Sequence, residues 1–411
     1  MTSPTARIEI TGIAAGGDGV GRTDGLVVFV PRTAPGDVAR VRLARSKRFA
    51  RGHLESLESA SPDRVEPVCP HYTRDRCGGC QLQHLSYEAQ LRAKGSIIAD
   101  ALRRIGRRDV ADVRVDASDA QWRYRRKLTL HLRRDGDSWI AGLHPYDDPA
   151  MVFDLSECPI TDKRVIASWH ELRGAFDLLP HVRSLRVAVR LLGDGVAVVV
   201  EGGGAWPAAE RLFNAAPSIL EIWWKPDHGR MRRLAARTAE SQSGASFVQV
   251  NARVAARLQA HVLERAHAHA PRRIVDAYAG AGGTAVPLAA GGATVVAIEL
   301  DAEAVARFAE RLRPPSRAVI GRVEDHLAEA LPADLVLLNP PRGGVDARVT
   351  GALQNVASPP SAVIYVSCDP ATLARDLARM PRYRLAAVRA YDMFPQTAHV
   401  ETVCELVPEA A

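Results

Sequence analysis

Three groups of residues in this 411-residue chain have types and spacing that could do chemistry. The first is Tyr365-Val366-Ser367-Cys368-Asp369-Pro370, which follows the apolar run Ala362 to Val366. That run reads as a buried strand, so the thiol falls at a strand's carboxyl end, where open α/β sheets place their chemistry. A thiol there is either a small buried hydrophobe or a nucleophile. The second group is Cys69-Pro70-His71 and Cys77-Gly78-Gly79-Cys80, with Cys158-Pro159 far downstream. The paired glycines let the chain fold tightly enough for both sulfurs to face one centre. Four thiolates suit zinc or an iron–sulfur cluster, and a redox pair is the other reading. Three cysteines plus a distant fourth differ from the two close pairs of a zinc knuckle, which favours iron–sulfur. The third group is the loop Ala279-Gly280-Ala281-Gly282-Gly283 after the apolar run Ile274 to Tyr278. Such a loop lets a ligand approach the backbone before a helix begins. Glu299 ends the next strand, Thr294 to Ile298, where an acidic residue hydrogen-bonds a ribose diol in such folds.

The glycine loop alone would also fit a nicotinamide cofactor. Asn339-Pro340-Pro341-Arg342, at the end of the apolar strand Asp334 to Leu338, separates the two. An Asn-Pro-Pro strand end is typical of enzymes that bind S-adenosylmethionine, and dehydrogenases do not need it.

These residues require a parallel sheet to carry them. From Arg272 onward strand and helix alternate, which predicts a doubly wound α/β domain. The helix after Cys368 is expected over Ala371 to Met380. Phe247-Val248-Gln249-Val250-Asn251 and the periodic helix Ala252 to Ala268 open this domain. Upstream, residues 121 to 200 are β-rich, with strands expected at Leu128 to Leu132, Val187 to Leu192 and Val196 to Val200. A helix is expected over 85–106. The first 58 residues alternate apolar and polar around glycine turns, which predicts a small barrel of about five strands. Pro31-Arg32 and Ser46-Lys47-Arg48 put positive charge on its rim, so RNA is favoured over a protein ligand.

The formal net charge is +7, which points to an acidic partner. Residues 91 to 134 hold thirteen Lys/Arg against five Asp/Glu, a local excess suited to a nucleic-acid track. Within it, Trp122-Arg123-Tyr124-Arg125-Arg126-Lys127 mixes the aromatics and cations that stack bases and hold phosphates; an amphipathic strand reads equally well. Met1 to Arg7 lacks the apolar segment of a signal peptide. The 22 uncharged residues between Asp276 and Glu299 are broken by five glycines and Pro287, so no membrane span is expected. A cytoplasmic protein with reduced thiols is the expectation.

The order of the motifs resembles one family. Barrel, Cys-Gly-Gly-Cys, Phe-Val-Gln-Val-Asn, glycine loop, Asn-Pro-Pro-Arg, Ser367-Cys368-Asp369-Pro370, Asp392-Met393-Phe394-Pro395 and His399-Val400-Glu401 follow one another as in the RNA uracil-carbon-5 methyltransferases. The form it looks like carries an N-terminal TRAM barrel and an iron–sulfur cluster, and the resemblance spans nearly the whole chain. It implies an OB-like TRAM domain over 1–60, a β-rich central domain carrying the cluster over 61–245, and a Rossmann-like methyltransferase domain over 246–411. It implies a 4Fe–4S cluster on Cys69, Cys77, Cys80 and Cys158. It implies S-adenosylmethionine bound by Gln249, Tyr278, Gly280, Glu299 and Asn339, with Cys368 as nucleophile and Glu401 as base. RNA would run over Arg125, Arg126 and Lys127. The expected substrate is 23S ribosomal RNA ahead of transfer RNA, and the expected state a monomer. The rival readings are a transfer-RNA enzyme and an RNA-binding protein with a degenerate methyltransferase domain. Three positions depart from the family pattern: Asn339 replaces the usual Asp, the Cys69–Cys77 interval is long, and Gln396 replaces the usual His.

Overall fold

A computed structural model describes residues 4–237 and 249–409. The chain begins as a closed barrel of β1 (Thr5–Ile13), β2 (Gly19–Thr23), β3 (Leu26–Val30), β4 (Val38–Arg45) and β5 (Phe49–Ser59), in the order β1-β2-β3-β5-β4. Alternate residues of these strands, among them Ile8, Ile10, Val28, Val30, Val41 and Leu43, fill its core. The expected five-stranded barrel is therefore present, and closure removes its free edges. Lys47 and Arg48 are exposed on the rim. Arg32 is turned inward instead: its guanidinium donates to the carbonyls of Tyr72 and Cys77 and stacks 4.0 Å over the Tyr72 ring.

The next segment holds the short helix α1 (Pro70–Thr73) and the long helix α2 (Tyr87–Arg104). Ser86 caps α2 by accepting from the Ala89 amide, and Arg103 and Arg104 lie in its last turn, where cations suit the helix dipole. A two-residue strand, β6 (Val115–Asp116), follows.

A seven-stranded sheet then forms in the order β13-β12-β11-β10-β7-β8-β9. Its strands are β7 (Lys127–Asp135), β8 (Ser138–Leu143), β9 (Phe153–Asp154), β10 (Ser184–Leu192), β11 (Gly195–Glu201), β12 (Ile219–Lys225) and β13 (Arg232–Ala236). The apolar side of β10 and β11 packs on α3 (Lys163–Arg173) and that of β12 and β13 on α4 (Ala209–Ala215), with Trp169 and Leu212 in the shared core.

The last unit is the doubly wound α/β domain. In chain order it runs α5 (Ala252–Ala268), β14 (Arg273–Ala277), α6 (Ala285–Ala290), β15 (Thr294–Glu299), α7 (Ala302–Phe308), β16 (Arg317–Ile320), α8 (Val323–Ala330), β17 (Leu335–Leu338), α9 (Ala347–Asn355), β18 (Ala362–Ser367), α10 (Pro370–Ala378), β19 (Tyr383–Tyr391) and β20 (Glu401–Pro408). The sheet order is β16-β15-β14-β17-β18-β20-β19-β6. Strands β14 to β18 are parallel, and β20 runs antiparallel to β18. Successive residues of β14, β17 and β18 point to opposite faces. Val275, Val336, Leu338 and Tyr365 meet α2, α8, α9 and α10, whereas Ile274, Leu337 and Ile364 meet α5, α6 and α7. Burial on both faces explains why these strands are apolar throughout.

The structure adds one thing the pattern of motifs does not show. Helix α2 packs on α10, and β6 extends the eight-stranded sheet by pairing with the end of β19. Gly95 permits this, because a Cβ there would lie 2.3 Å from the Val113 carbonyl oxygen.

Candidate active site and cysteine cavity

The topology sets the candidate site residues along one edge. The loops after β14, β15, β17 and β18 leave the carboxyl edge of the parallel strands, on both sides of β14 where the strand order reverses. Tyr278 and Gly280 follow β14, Glu299 ends β15, Asn339 follows β17 and Cys368 follows β18. Because β20 is antiparallel to β18, its first residue, Glu401, comes to the same edge. Ser367 pairs with Thr402, so the next position outward sets Cys368 beside Glu401.

The loop after β14 is bent by Tyr278 at φ 64°, Gly280 at φ 57° and Gly282 at φ 77°. Gly282 is obligatory, since a Cβ would lie 2.5 Å from the Phe308 ring. At Gly280 a Cβ would meet only open space, which leaves room for a ligand against the backbone. The Glu299 carboxylate accepts from the Gly280 amide at 2.8 Å and the Asp301 amide at 2.9 Å. Each oxygen keeps a second lone pair for a diol. Buried Asp276 accepts from Thr284 at 2.5 Å, and burial raises its carboxyl to about 6. Asn339 is exposed at its strand end, its amide donating to the Ala277 carbonyl at 3.3 Å. Gln249 is half-buried just before Asn251, the cap of α5; Phe247 and Val248 lie outside the described residues.

Cys368 is half-buried, and Asp369 caps α10 directly after it. Burial raises the Cys368 thiol, the Glu401 charge adds to this, and the Arg342 cation opposes both. Glu401 is buried, and desolvation raises its carboxyl to about 7 against the same opposing Arg342. A group poised there can accept a proton near neutral pH. In sequence Arg342 is only the residue after Asn-Pro-Pro; that its charge acts on both thiol and carboxylate follows from the fold. The loop that carries it is tied to α10: Asp376 accepts from Val345 N at 2.9 Å and Tyr365 OH at 2.8 Å, and Arg375 donates to the Gly343 carbonyl at 2.8 Å.

The cysteines of the second motif surround a separate cavity of about 110 Å³. Cys69, Cys77, Cys80 and Cys158 all line it, with His71, Arg125 and Glu157 among the other walls. Gly78 donates to the His144 carbonyl at 2.9 Å, fixing the Cys77–Cys80 turn against the strand end of β8. Burial raises the Cys77 thiol to about 12 and raises the other three as well. Among the described residues no three His, Cys, Asp or Glu side chains form a group placed to hold a metal ion.

The residues expected to track RNA divide. Arg125 lines the cysteine cavity and donates to the Lys127 carbonyl at 2.9 Å. Lys127 is half-buried, and burial together with the Arg190, Arg186 and Arg125 cations lowers its ammonium to about 8. Arg126 is half-buried on the same strand entry. Tyr124 of the same run is buried, its hydroxyl donating to the Pro395 carbonyl at 2.9 Å, so it cannot stack a base. Part of the 91–134 excess is paired within the chain: buried Lys94 with Asp392, half-buried Arg123 with Glu157 and exposed Arg92 with Asp63.

Comparison with known proteins agrees with this geometry. Residues 4–54 match the TRAM domain model, and residues 317–407 match the tRNA (uracil-5-)-methyltransferase model. An uncharacterized RNA methyltransferase of Protochlamydia amoebophila is 32% identical over 428 residues, covering 97% of this chain and 96% of its own. One from Gloeobacter violaceus is 33% identical over 99% of this chain and 97% of its own. The chain belongs to the S-adenosylmethionine-dependent RNA uracil-5-methyltransferases. The fold of this methyltransferase matches the tRNA (uracil-54, C5)-methyltransferase of Pyrococcus abyssi in complex with S-adenosyl-L-homocysteine, with a TM-score of 0.71 at 24% identity, covering 98% of this chain and 100% of that one. Among the described residues no helix is long and apolar enough to cross a membrane.

Proposed function

We propose that this methyltransferase acts on carbon 5 of one uridine in structured RNA, 23S ribosomal RNA first, through a covalent adduct with Cys368. The observation that carries the reading is the meeting of Cys368 and Glu401 at one sheet edge under the Arg342 cation. Carbon 5 of uracil is a weak nucleophile. Addition of the Cys368 thiolate to carbon 6 forms an S–C bond and pushes the ring electrons into an enolate. Carbon 5 then attacks the methyl group that S-adenosylmethionine supplies, expelling the thioether. Glu401 takes the carbon 5 proton, the ring double bond reforms and the thiolate leaves. The open backbone at Gly280 and the Glu299 carboxylate fit the donor. Tyr278, Asn339 and Gln249 would complete that site.

The cysteine cavity supports the reading of a cluster site. The four thiols of Cys69, Cys77, Cys80 and Cys158 face one space, which supports a shared ligand set. Cys69, Cys77, Cys80 and Cys158 would hold a 4Fe–4S cluster, whose positive iron would stabilise thiolates that burial alone disfavours. Arg126, Lys127 and the barrel rim would grip the backbone of an RNA whose target base is splayed out. The enzyme would work as a monomer in the cytoplasm, where that RNA is made.

A second reading is a transfer-RNA substrate, favoured by the words of the matching family model and of the Pyrococcus abyssi protein. Mass-spectrometric mapping of 5-methyluridine in ribosomal and transfer RNA, from cells with and without the gene, decides between them. Loss of one ribosomal site supports the first reading, and loss confined to transfer RNA overturns it.

A further inference from the structure

The hairpin connection 392–400 joins β19 to β20 and delivers Glu401 to the crevice, Tyr391 and Glu401 being partners across its neck. Its position is fixed from outside. Gln396 is 2% exposed and left-handed at φ 71°. Its amide donates to Oε1 of Gln90 at 2.9 Å, and its own Oε1 accepts from Nε2 of Gln90 at 2.9 Å. The second hydrogen of that Nε2 goes to the Leu85 carbonyl at 3.0 Å, so the amide of Gln90 is committed. The Gln396 carbonyl accepts from the amides of Gln81 and Leu82 at 3.1 and 3.0 Å. Gln81 Oε1 in turn accepts from the Ala398 amide at 3.3 Å. Below these bonds Leu82, Leu85, Ala89, Ala398 and Ala34 of the barrel form one apolar cluster.

The restraint continues toward the catalytic strand. Thr397 Oγ1 donates to the Phe394 carbonyl at 2.8 Å and accepts from the His399 amide at 3.2 Å, making a rigid turn two residues before Glu401. On the other side Lys94 donates to Asp392 at 2.5 Å and to the Phe394 carbonyl at 3.0 Å, all within the core. The loop thus takes its position from α2 and from the segment after Cys80, not from the sheet alone.

We infer that Gln396, with Gln90 as its partner, is a positioning residue that sets Glu401 against the Cys368 adduct. This rests on the reading of Glu401 as the base. Proton removal from carbon 5 is the last step before the thiolate leaves, so a displaced Glu401 slows release of the adduct while leaving its formation intact. A misplacement of roughly 1 Å can cost about a hundredfold in a step that depends on it.

The test uses Gln396→Gly, which keeps the left-handed backbone and its amide bonds but removes the side chain, and Gln90→Ala, which removes the partner. Each is compared with wild type and Glu401→Gln for the rates of formation and release of the denaturation-resistant RNA adduct, for S-adenosylmethionine binding by calorimetry, and for melting temperature. Release should slow by about ten- to a hundredfold in both Gln variants, with formation and donor binding within a few-fold of wild type. Normal release in folded Gln396→Gly and Gln90→Ala, while Glu401→Gln traps the adduct, overturns the inference alone. Normal release in Glu401→Gln overturns the base assignment and the inference with it. Formation and release falling together in both variants reduces Gln396 to a structural residue and also overturns it.

Discussion

Cys368 and the quartet Cys69, Cys77, Cys80 and Cys158 present the same side chain in opposed settings. Cys368 is half-buried at an open strand end, where burial and the neighbouring Glu401 carboxylate raise its thiol and the Arg342 cation opposes them. The quartet lines a cavity closed by apolar walls such as Leu128, Leu143 and Ile160, and burial there raises every thiol. A nucleophile needs solvent, a neighbouring base and a path for substrate; a ligand set needs shielding and convergence. Cys404 completes the comparison. It lies in the core of β20, its thiol raised to about 12 by burial alone, and neither condition is met.

Substitutions sharpen that contrast. Cys368→Ala should lower RNA methyl transfer by at least about 10⁴-fold, the scale on which loss of a covalent nucleophile acts, and abolish the adduct. Cys404→Ala should keep turnover near wild type. Equal losses in the two variants would erase the distinction between them. Cys80→Ser should remove bound iron and sulfide and lower the melting temperature by about 5 °C or more, as loss of a structural metal site does. Calorimetric binding of S-adenosylmethionine should remain. Chemical iron and sulfide analysis of anaerobically purified protein checks it, and unchanged metal content would refute the ligand assignment.

The smallest expected effect concerns Glu401. The folded protein holds the Glu401 proton up to about pH 7, against 4.5 for the free side chain. The native state therefore binds more protons than the unfolded chain between those values, and stability falls as pH rises through that window. Glu401→Gln removes this dependence. Its stability relative to wild type should improve by about 2 kcal/mol between pH 5.5 and pH 8, read from denaturant melts at the two pH values. A constant difference would show that Glu401 is ionised throughout and would make it a poor match to the raised carboxyl.

The sequence makes the crevice legible because its parts are local. Apolar strands bounded by Gly, Pro and Asp mark β14, β17 and β18, and Asp369-Pro370 announces the capped start of α10. Other contacts carry no local signal. Lys94 and Asp392 are 298 positions apart, and Gln90 and Gln396 are 306 apart, so no periodicity connects them. A lysine on the apolar side of α2, next to Ile97 and Ile98, was the one available hint. Composition also misleads where one residue type serves two purposes. Tyr124 and Arg32 read as RNA-facing groups, yet each joins parts of the protein to one another, since aromatic rings and guanidinium forks bind carbonyls and rings as readily as nucleotides.

The pairing of β6 with β19 has a consequence for how the chain is made. Residues 115 and 116 leave the ribosome long before 390 and 391, the positions they pair with. Helix α2 carries apolar residues such as Ile98 and Leu102 that find their seat only when α10 exists. During synthesis these surfaces wait unpartnered while the seven-stranded sheet folds between them. Truncation before α10 would leave both α2 and β6 without their final cover, and truncation between α10 and β19 would leave β6 alone unpaired.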